Sequence, residues 1–362
     1  IPLEDVGSVT DAGAVQIMYG SEDGLTGNQL WTQNTDGILD ASELGDNFGS
    51  ALTAGDFNAD GESDLAIGVP KEDRELRGSS VEDVGAVSVL FGTGSGGLTS
   101  NFDQVWTQDT FDNNVSVIDS GENFDRFGSS LAAGDFNGDG RSDLAIGVPK
   151  EDVGAAVDAG AVNVLYASAS AGALSAVGNQ FLVQGSNNLT GTAETGDLLA
   201  SSLAAGDFNG DGIKDLAIGV PGNNNEFGTS INDLGAVNVV YGSTLDVGSG
   251  QPLGLSPFGQ EFFRPGRVGE PSGENGLAPG DRFGSTLSAW DFNRDLRTDL
   301  AIGVPGETVG GNADAGAVVV LYSEGSQGLF DGSPVNAQFW TQDSSGIADV
   351  AELNDGFGAA LY

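Results

Sequence analysis

The sequence predicts an all-β fold: a β-propeller of four-stranded antiparallel blades, with four complete repeats and two partial ones. Three observations carry this. The peptide GDFNADGESDL at Gly55–Leu65 returns as GDFNGDGRSDL (Gly134–Leu144), as GDFNGDGIKDL (Gly206–Leu216) and, altered, as WDFNRDLRTDL (Trp290–Leu300). Between these loops lie short blocks rich in Val, Ile, Leu and aromatics, bounded by Gly, Asp, Asn or Pro, with no long amphipathic helical pattern. Glycine fills 59 of 362 positions, about twice the usual share, which calls for many tight turns.

Each element of the repeat follows from a recurring motif. The first Asp of the acidic loop falls at Asp56, Asp135, Asp207 and Asp291, with spacings of 79, 72 and 84. A GAV motif starts at Gly13, Gly85, Gly160, Gly235 and Gly316, with spacings of 72, 75, 75 and 81. An FG pair stands at Phe48, Phe127, Phe283 and Phe357, and Leu199-Ala200 fills the remaining slot. WTQ appears at Trp31, Trp106 and Trp340, with Phe181–Gln184 and Phe262–Arg264 as weaker versions. In the first complete unit the expected strands are Phe48–Gly55, Asp64–Val69, Gly85–Phe91 and about Gln104–Gln108. Four strands repeated radially make a propeller blade. A β-solenoid has coils much shorter than this period, and two β-sandwiches would not need the repetition.

The repeats run over about 1–45 (partial), 46–124, 125–196, 197–280, 281–354 and 355–362 (partial). Ile1-Pro2 matches the tail of the AIGVP strand (Ala66–Pro70), and a third and fourth strand follow it. Asp355–Tyr362 supplies only a first strand. The expectation is a single propeller or, preferably, a segment of a longer array.

The loops carry the chemistry. Asp56, Asn58, Asp60, Gly61, Glu62 and Asp64 occupy positions 1, 3, 5, 6, 7 and 9 of the first. Hard cations take about six to eight oxygens, and this spacing turns alternate side chains toward one centre. Position 7 contributes a backbone carbonyl, which explains why Glu62, Arg141, Ile213 and Arg297 differ there. The other three sets are Asp135, Asn137, Asp139 and Asp143; Asp207, Asn209, Asp211 and Asp215; and Asp291, Asn293, Asp295 and Asp299. All-oxygen ligation points to Ca2+, about one ion per complete repeat. In the fourth loop Leu296 replaces the turn glycine, so a weaker or distorted site is expected. The alternative is an Asx-turn hairpin that needs no metal.

Composition excludes much else. With 53 acidic and 12 basic residues the net charge is −41, so nucleic acid and anionic membrane surfaces are not expected partners. There is no cysteine and no histidine, which removes disulfides, thiolate chemistry and the commonest general base. No run of about 18 apolar residues occurs, so membrane insertion is not expected. Residues repeated in every unit argue against catalysis, and the chain is read as not an enzyme.

Together, FG…GDFNGDG…DLAIGVP…GAV resembles the FG-GAP repeat of integrin α-subunit N-terminal β-propellers and of related bacterial proteins; GVP stands where that family often has GAP. The resemblance implies Ca2+ in the loops, an extracellular or cell-surface setting, and adhesion or recognition of a protein or glycan ligand. Alternatives are a sheath or filament protein self-associating through its partial blades, a propeller lectin, or the accessory domain of a secreted hydrolase. Two further sets of acids recur: Asp11, Asp83, Asp158, Asp233 and Asp314 before GAV, and Asp46, Asp125, Asp197, Asp281 and Asp355 before FG. They are read as turn hydrogen bonding or as a carboxylate ring. Asn114 and Asn188 begin glycosylation sequons.

Overall fold

The computed structural model describes residues 1–22, 24–76, 79–94, 96–168, 172–185, 189–224, 232–244, 254–265, 278–325, 328–329 and 337–361. Asn188 lies outside them. Among the described residues there is no helix, and hence none long and apolar enough to cross a membrane.

The first elements are the paired strands β1 (Val15–Ser21) and β2 (Gly24–Trp31). A four-stranded antiparallel sheet follows, from β3 (Leu52–Gly55), β4 (Asp64–Val69), β7 (Ala86–Gly92) and β8 (Leu98–Trp106), interrupted by the small hairpin β5 (Arg74–Leu76) and β6 (Ser79–Val81). A second small hairpin is β9 (Phe111–Asp112) with β10 (Val115–Ser116). Three more sheets repeat the same strand order. They are β11 (Ser130–Gly134), β12 (Asp143–Val148), β13 (Ala161–Ser168) and β14 (Ala173–Leu182); β15 (Leu203–Gly206), β16 (Asp215–Val220), β17 (Ala236–Tyr241) and β18 (Ser256–Phe263); and β19 (Thr286–Trp290), β20 (Asp299–Val304), β21 (Ala317–Leu321) and β22 (Ala337–Trp340). The expected class is the one observed: all-β, in antiparallel blades of the propeller type.

The chain packs as two compact units. One comprises 1–133, 140–151 and 162–181, and its core includes Val15, Trp31, Phe48, Ile67 and Leu90. The other comprises 134–139, 152–161 and 182–362, with Phe208, Val239, Phe263, Phe283 and Ile302 in its core. Each second strand reads DLAIGV and is almost wholly buried on both faces. That explains a continuous apolar run where a half-exposed strand would alternate.

The GAV and FG motifs turn out to be two halves of one joint. Gly85 pairs with Phe127 in a parallel bridge, at φ +84°, and a Cβ there would lie 2.2 Å from the Phe127 carbonyl oxygen. Gly13 meets Phe48, Gly160 meets Leu199, Gly235 meets Phe283 and Gly316 meets Phe357 in the same way. Only glycine tolerates both the left-handed backbone and the approach. This joint uses Phe48, so the first strand starts at Leu52, later than expected. The fourth strand starts earlier, at Leu98, because it carries a bulge. Phe357 forms the bridge, but residues 358–361, expected as a first strand, form none.

Candidate metal centre

Each acidic loop joins the first and second strands of a blade and closes on its position-9 aspartate. Asp64, 1% exposed, accepts from Phe57 N at 2.8 Å and from Gly92 N at 2.8 Å. Asp215 accepts likewise from Phe208 N (2.8 Å) and Gly242 N (3.0 Å), and Asp299 from Phe292 N (3.0 Å) and Ser323 N (3.0 Å). Asp143 accepts from Ala167 N at 2.9 Å. Position 9 therefore staples the loop to the end of the third strand, a role the spacing alone does not disclose.

The exposed part of the loop is an array of N–H groups wrapped around carboxylates. Asp56 Oδ1 accepts from Asp60 N (3.1 Å) and Oδ2 from Gly61 N (3.0 Å), while Asn58 Oδ1 accepts from Asp60 N (2.8 Å). Asp60 Oδ1 accepts from Glu62 N at 2.9 Å, and Asp60 Oδ2 from the Asn58 amide at 3.0 Å. The third loop repeats this: Asp207 accepts from Gly210, Asp211 and Gly212, Asn209 from Asp211, and Asp211 from Ile213. In the fourth, Asp291 accepts from Asp295 and Leu296, Asn293 from Asp295, and Asp295 from Arg297. In the second, Asp135 accepts from Gly138 and Asp139, and Asn137 from Asp139. The Arg141 side chain turns away to donate to the Asn58 carbonyl at 3.2 Å.

Two left-handed residues per loop make the wrap possible. Position 6 has φ +90° at Gly61, +86° at Gly140 and +90° at Gly212, and Leu296 is forced to +71°. Position 4 is left-handed as well, at Ala59, Gly138, Gly210 and Arg294. The glycine opening each motif has a packing reason: a Cβ on Gly55 would sit 2.7 Å from Ser142, and one on Gly206 2.5 Å from Thr298. Adjacent loops are also joined by backbone, through Ser142 N to Asp56 O and Lys214 N to Asp135 O, both at 3.0 Å. The fourth loop is looser. Phe57, Phe136 and Phe208 are fully buried, but the corresponding Phe292 is 44% exposed and Trp290 replaces the glycine.

The electrostatics are unbalanced. Asp56, Asp60 and Asp64 have no basic partner among the described residues, and the same holds for the carboxylates of the third and fourth loops. Burial, and then the charges of Asp60 and Asp56, push Asp64 up to about 6 against the opposing N–H bonds. Burial pushes Asp215 up to about 8 and raises Asp299. Among the described residues no three carboxyl groups are placed together so as to hold a metal ion. The oxygens instead face the loop's own N–H groups. The donor set nonetheless suits a hard cation, because most of these carboxylate oxygens keep a second lone pair for it, the exceptions being Asp135 Oδ1 and Asp207 Oδ1, which each accept two N–H groups.

The remaining acids have mostly backbone roles. Asp46 accepts from Glu43 N, Asp125 from Glu122 N, Asp197 from Glu194 N, Asp281 from Ala278 N and Asp355 from Glu352 N. Asp11, Asp83, Asp158, Asp233 and Asp314 all sit at φ +50° to +52°. Their carbonyls accept from the residue that precedes the FG slot or lies next to it. Two glutamates, Glu72 and Glu151, stand in the acidic stretches KEDRE (Lys71–Glu75) and KED (Lys150–Asp152), which by charge read as solvated faces, yet both are buried. Gln33 donates to Glu72 at 2.7 Å and Gln108 to Glu151 at 2.6 Å, and burial with neighbouring carboxylates pushes each glutamate up to about 9. Trp31 and Trp106 are 6% and 2% exposed and pack within their blades, while Trp340 is half-buried.

The FG-GAP repeat family matches at residues 48–90, 127–165, 199–239 and 283–321. Phosphatidylinositol-glycan-specific phospholipase D of Bos taurus is 36% identical over 139 residues, 38% of this chain and 14% of its own length. The Mus musculus protein of that name is 33% identical over 174 residues, 48% of this chain and 18% of its own. Integrin alpha-4 of Xenopus laevis is 31% identical over 179 residues, 49% of this chain and 14% of its own. The chain thus spans less than a fifth of each of these relatives. The rhamnogalacturonan lyase PL11 of Bacillus licheniformis aligns over 79% of this chain and 47% of its own at a TM-score of 0.36 and 10% identity, too slight a likeness to argue from.

Proposed function

We propose that this chain, an FG-GAP repeat protein by its four matched repeats, is a calcium-stabilised extracellular interaction scaffold. The observation that carries this is the loop itself: the carboxylates of positions 1 and 5 and the amide of position 3 are wrapped on one turn by N–H groups, with no basic partner among the described residues in the first, third and fourth loops. Asp56, Asn58, Asp60 and Asp64, with the Glu62 carbonyl, would hold one ion. Asp135, Asn137, Asp139 and Asp143 with the Arg141 carbonyl, Asp207, Asn209, Asp211 and Asp215 with that of Ile213, and Asp291, Asn293, Asp295 and Asp299 with that of Arg297 would hold the others.

The role is structural. Four Ca2+ would add +8 to a net charge of −41, placed where carboxylates are densest. An ion at about 100 times its dissociation constant stabilises the fold by about 2.7 kcal/mol per site. Extracellular calcium is abundant enough to fill even weak sites of this kind, which supports that setting. The residues recur in every complete blade, as a scaffold requires and as a single reaction centre does not. Excess chelator is expected to lower the melting temperature and added Ca2+ to restore it; identical melting curves in the two buffers would refute the reading.

A further inference from the structure

The repeats place a tyrosine six residues after the GAV glycine, opposite a Gln or Glu on the fourth strand. Tyr19 donates its hydroxyl to Gln29, Tyr166 to Gln180, and Tyr322 to Gln338 at 2.9 Å. Tyr241 lies against Glu261, and burial and then the Glu261 charge raise its phenol above the ordinary range. The first complete repeat departs from this rule. Its residue is Phe91, which has no hydroxyl, and Gln104 Oε1 is buried without a hydrogen-bond partner among the described residues. The Gln104 amide is fixed from its other end, where Nε2 donates to Leu174 O at 3.0 Å. A buried acceptor without a donor is costly, and such groups call for an explanation.

The same repeat breaks a second rule nearby. The fourth strand bulges four residues before its end, and three sibling repeats put glycine there: Gly27 (φ +63°), Gly178 (φ +79°) and Gly259 (φ +78°). Here the residue is Phe102, at φ +66° and 93% exposed. A bulky side chain in the left-handed region is a genuine outlier. A fully exposed ring adds nothing to the core, and strain of this sort collects where a protein binds something. Phe91, Phe102 and Gln104 line one open cavity of about 510 Å3, a size suited to a small ligand. Thr99 and Asn101 share its wall with Gly92, Gly172 and Ala173, and Asn58 and Asp60 of the acidic loop reach it.

We infer that this cavity binds a neutral pyranose sugar, its apolar ring face on Phe102 and one hydroxyl donating to Gln104 Oε1. Three sibling repeats show what that oxygen accepts, namely a hydroxyl. An aromatic face beside several amides and hydroxyls matches a ligand with one apolar face and a polar edge. A chain of net charge −41 disfavours anionic sugars. Among the described residues the site occurs once, in the first complete repeat, and is not a pocket repeated in every blade. The inference rests on the interaction-scaffold reading and not on calcium, since Phe91, Phe102 and Gln104 are not loop ligands.

The test is calorimetric titration of the full chain, in Ca2+ and in chelator, with the methyl glycosides of glucose, galactose, mannose and N-acetylglucosamine. Phe91→Tyr and Phe102→Gly serve as variants. Both restore the sibling residue, so both should fold, as circular dichroism would verify. The expected result is that the parent binds at least one glycoside and that each variant binds it about tenfold more weakly or worse, the scale of one well-made pocket contact. Absence of binding by the parent overturns the proposal, and so does binding that survives either replacement. A melting temperature that still responds to Ca2+ would then leave the scaffold reading standing.

Discussion

Replacing Asp215 by Asn separates the two roles assigned to position 9. Its carboxylate is fully buried and accepts from Phe208 N and Gly242 N. Asn keeps the shape but exchanges one acceptor for an NH2 donor, leaving one buried N–H unsatisfied at a cost of about 1–3 kcal/mol. In chelator that is the whole cost, and it should fall at the low end, because burial and the charges of Asp211 and Asp207 already push Asp215 up to about 8. Asn is relieved of that charge. At a Ca2+ concentration about 100 times the dissociation constant, losing the site removes a further 2.7 kcal/mol or so. Urea denaturation of parent and variant in the two buffers should therefore give a cost about 2–3 kcal/mol larger with Ca2+. Equal costs in both buffers would show that Asp215 is a staple alone and that the ligand assignment is wrong.

Two other perturbations follow from the same geometry. Leu296→Gly should raise stability by about 1 kcal/mol, because Leu296 holds φ +71° while 94% exposed; thermal melting checks it, and a loss of stability would contradict it. Glu151, pushed up from 4.5 to about 9 by burial and then by the charges of Asp125 and Asp119, makes stability fall as pH rises. The folded state holds a proton that the unfolded chain releases, so the contribution is complete below about pH 4.5 and lost as pH climbs through 9, at up to about 1.4 kcal/mol per pH unit. Glu151→Gln should flatten the pH profile of the urea midpoint, and an unchanged slope would contradict the assignment.

The sequence disclosed most of the blade because its cues are local and repeated: the DLAIGV strand, the GAV and FG glycines and the acidic turn each occupy a few consecutive residues. What it concealed depends on pairs brought together from afar. Asp64 reads as a ligand by spacing, and only the register of β4 against β7 shows it bonded to Gly92 N. Gln33 and Glu72 lie 39 residues apart, so WTQ looked like a packing motif alone. Phe91 looked like an ordinary strand aromatic, and Phe102 lay outside the expected strands. Their meaning appears only when strand register sets Phe91 beside the sibling tyrosines and Phe102 beside the bulge glycines. The paired departures could have been found by aligning the repeats internally, position by position.

The central claim is that the four loops hold calcium as part of the scaffold, and counting the ions tests it most directly. Chelator-treated protein would be dialysed against defined free Ca2+ and the bound ion measured by atomic absorption. The account predicts a rise to about three ions per chain, with a fourth entering at higher concentration because of Leu296 and the exposed Phe292. Binding of less than one ion per chain at saturating Ca2+ would contradict it and leave GDFNADG as an Asx-turn hairpin.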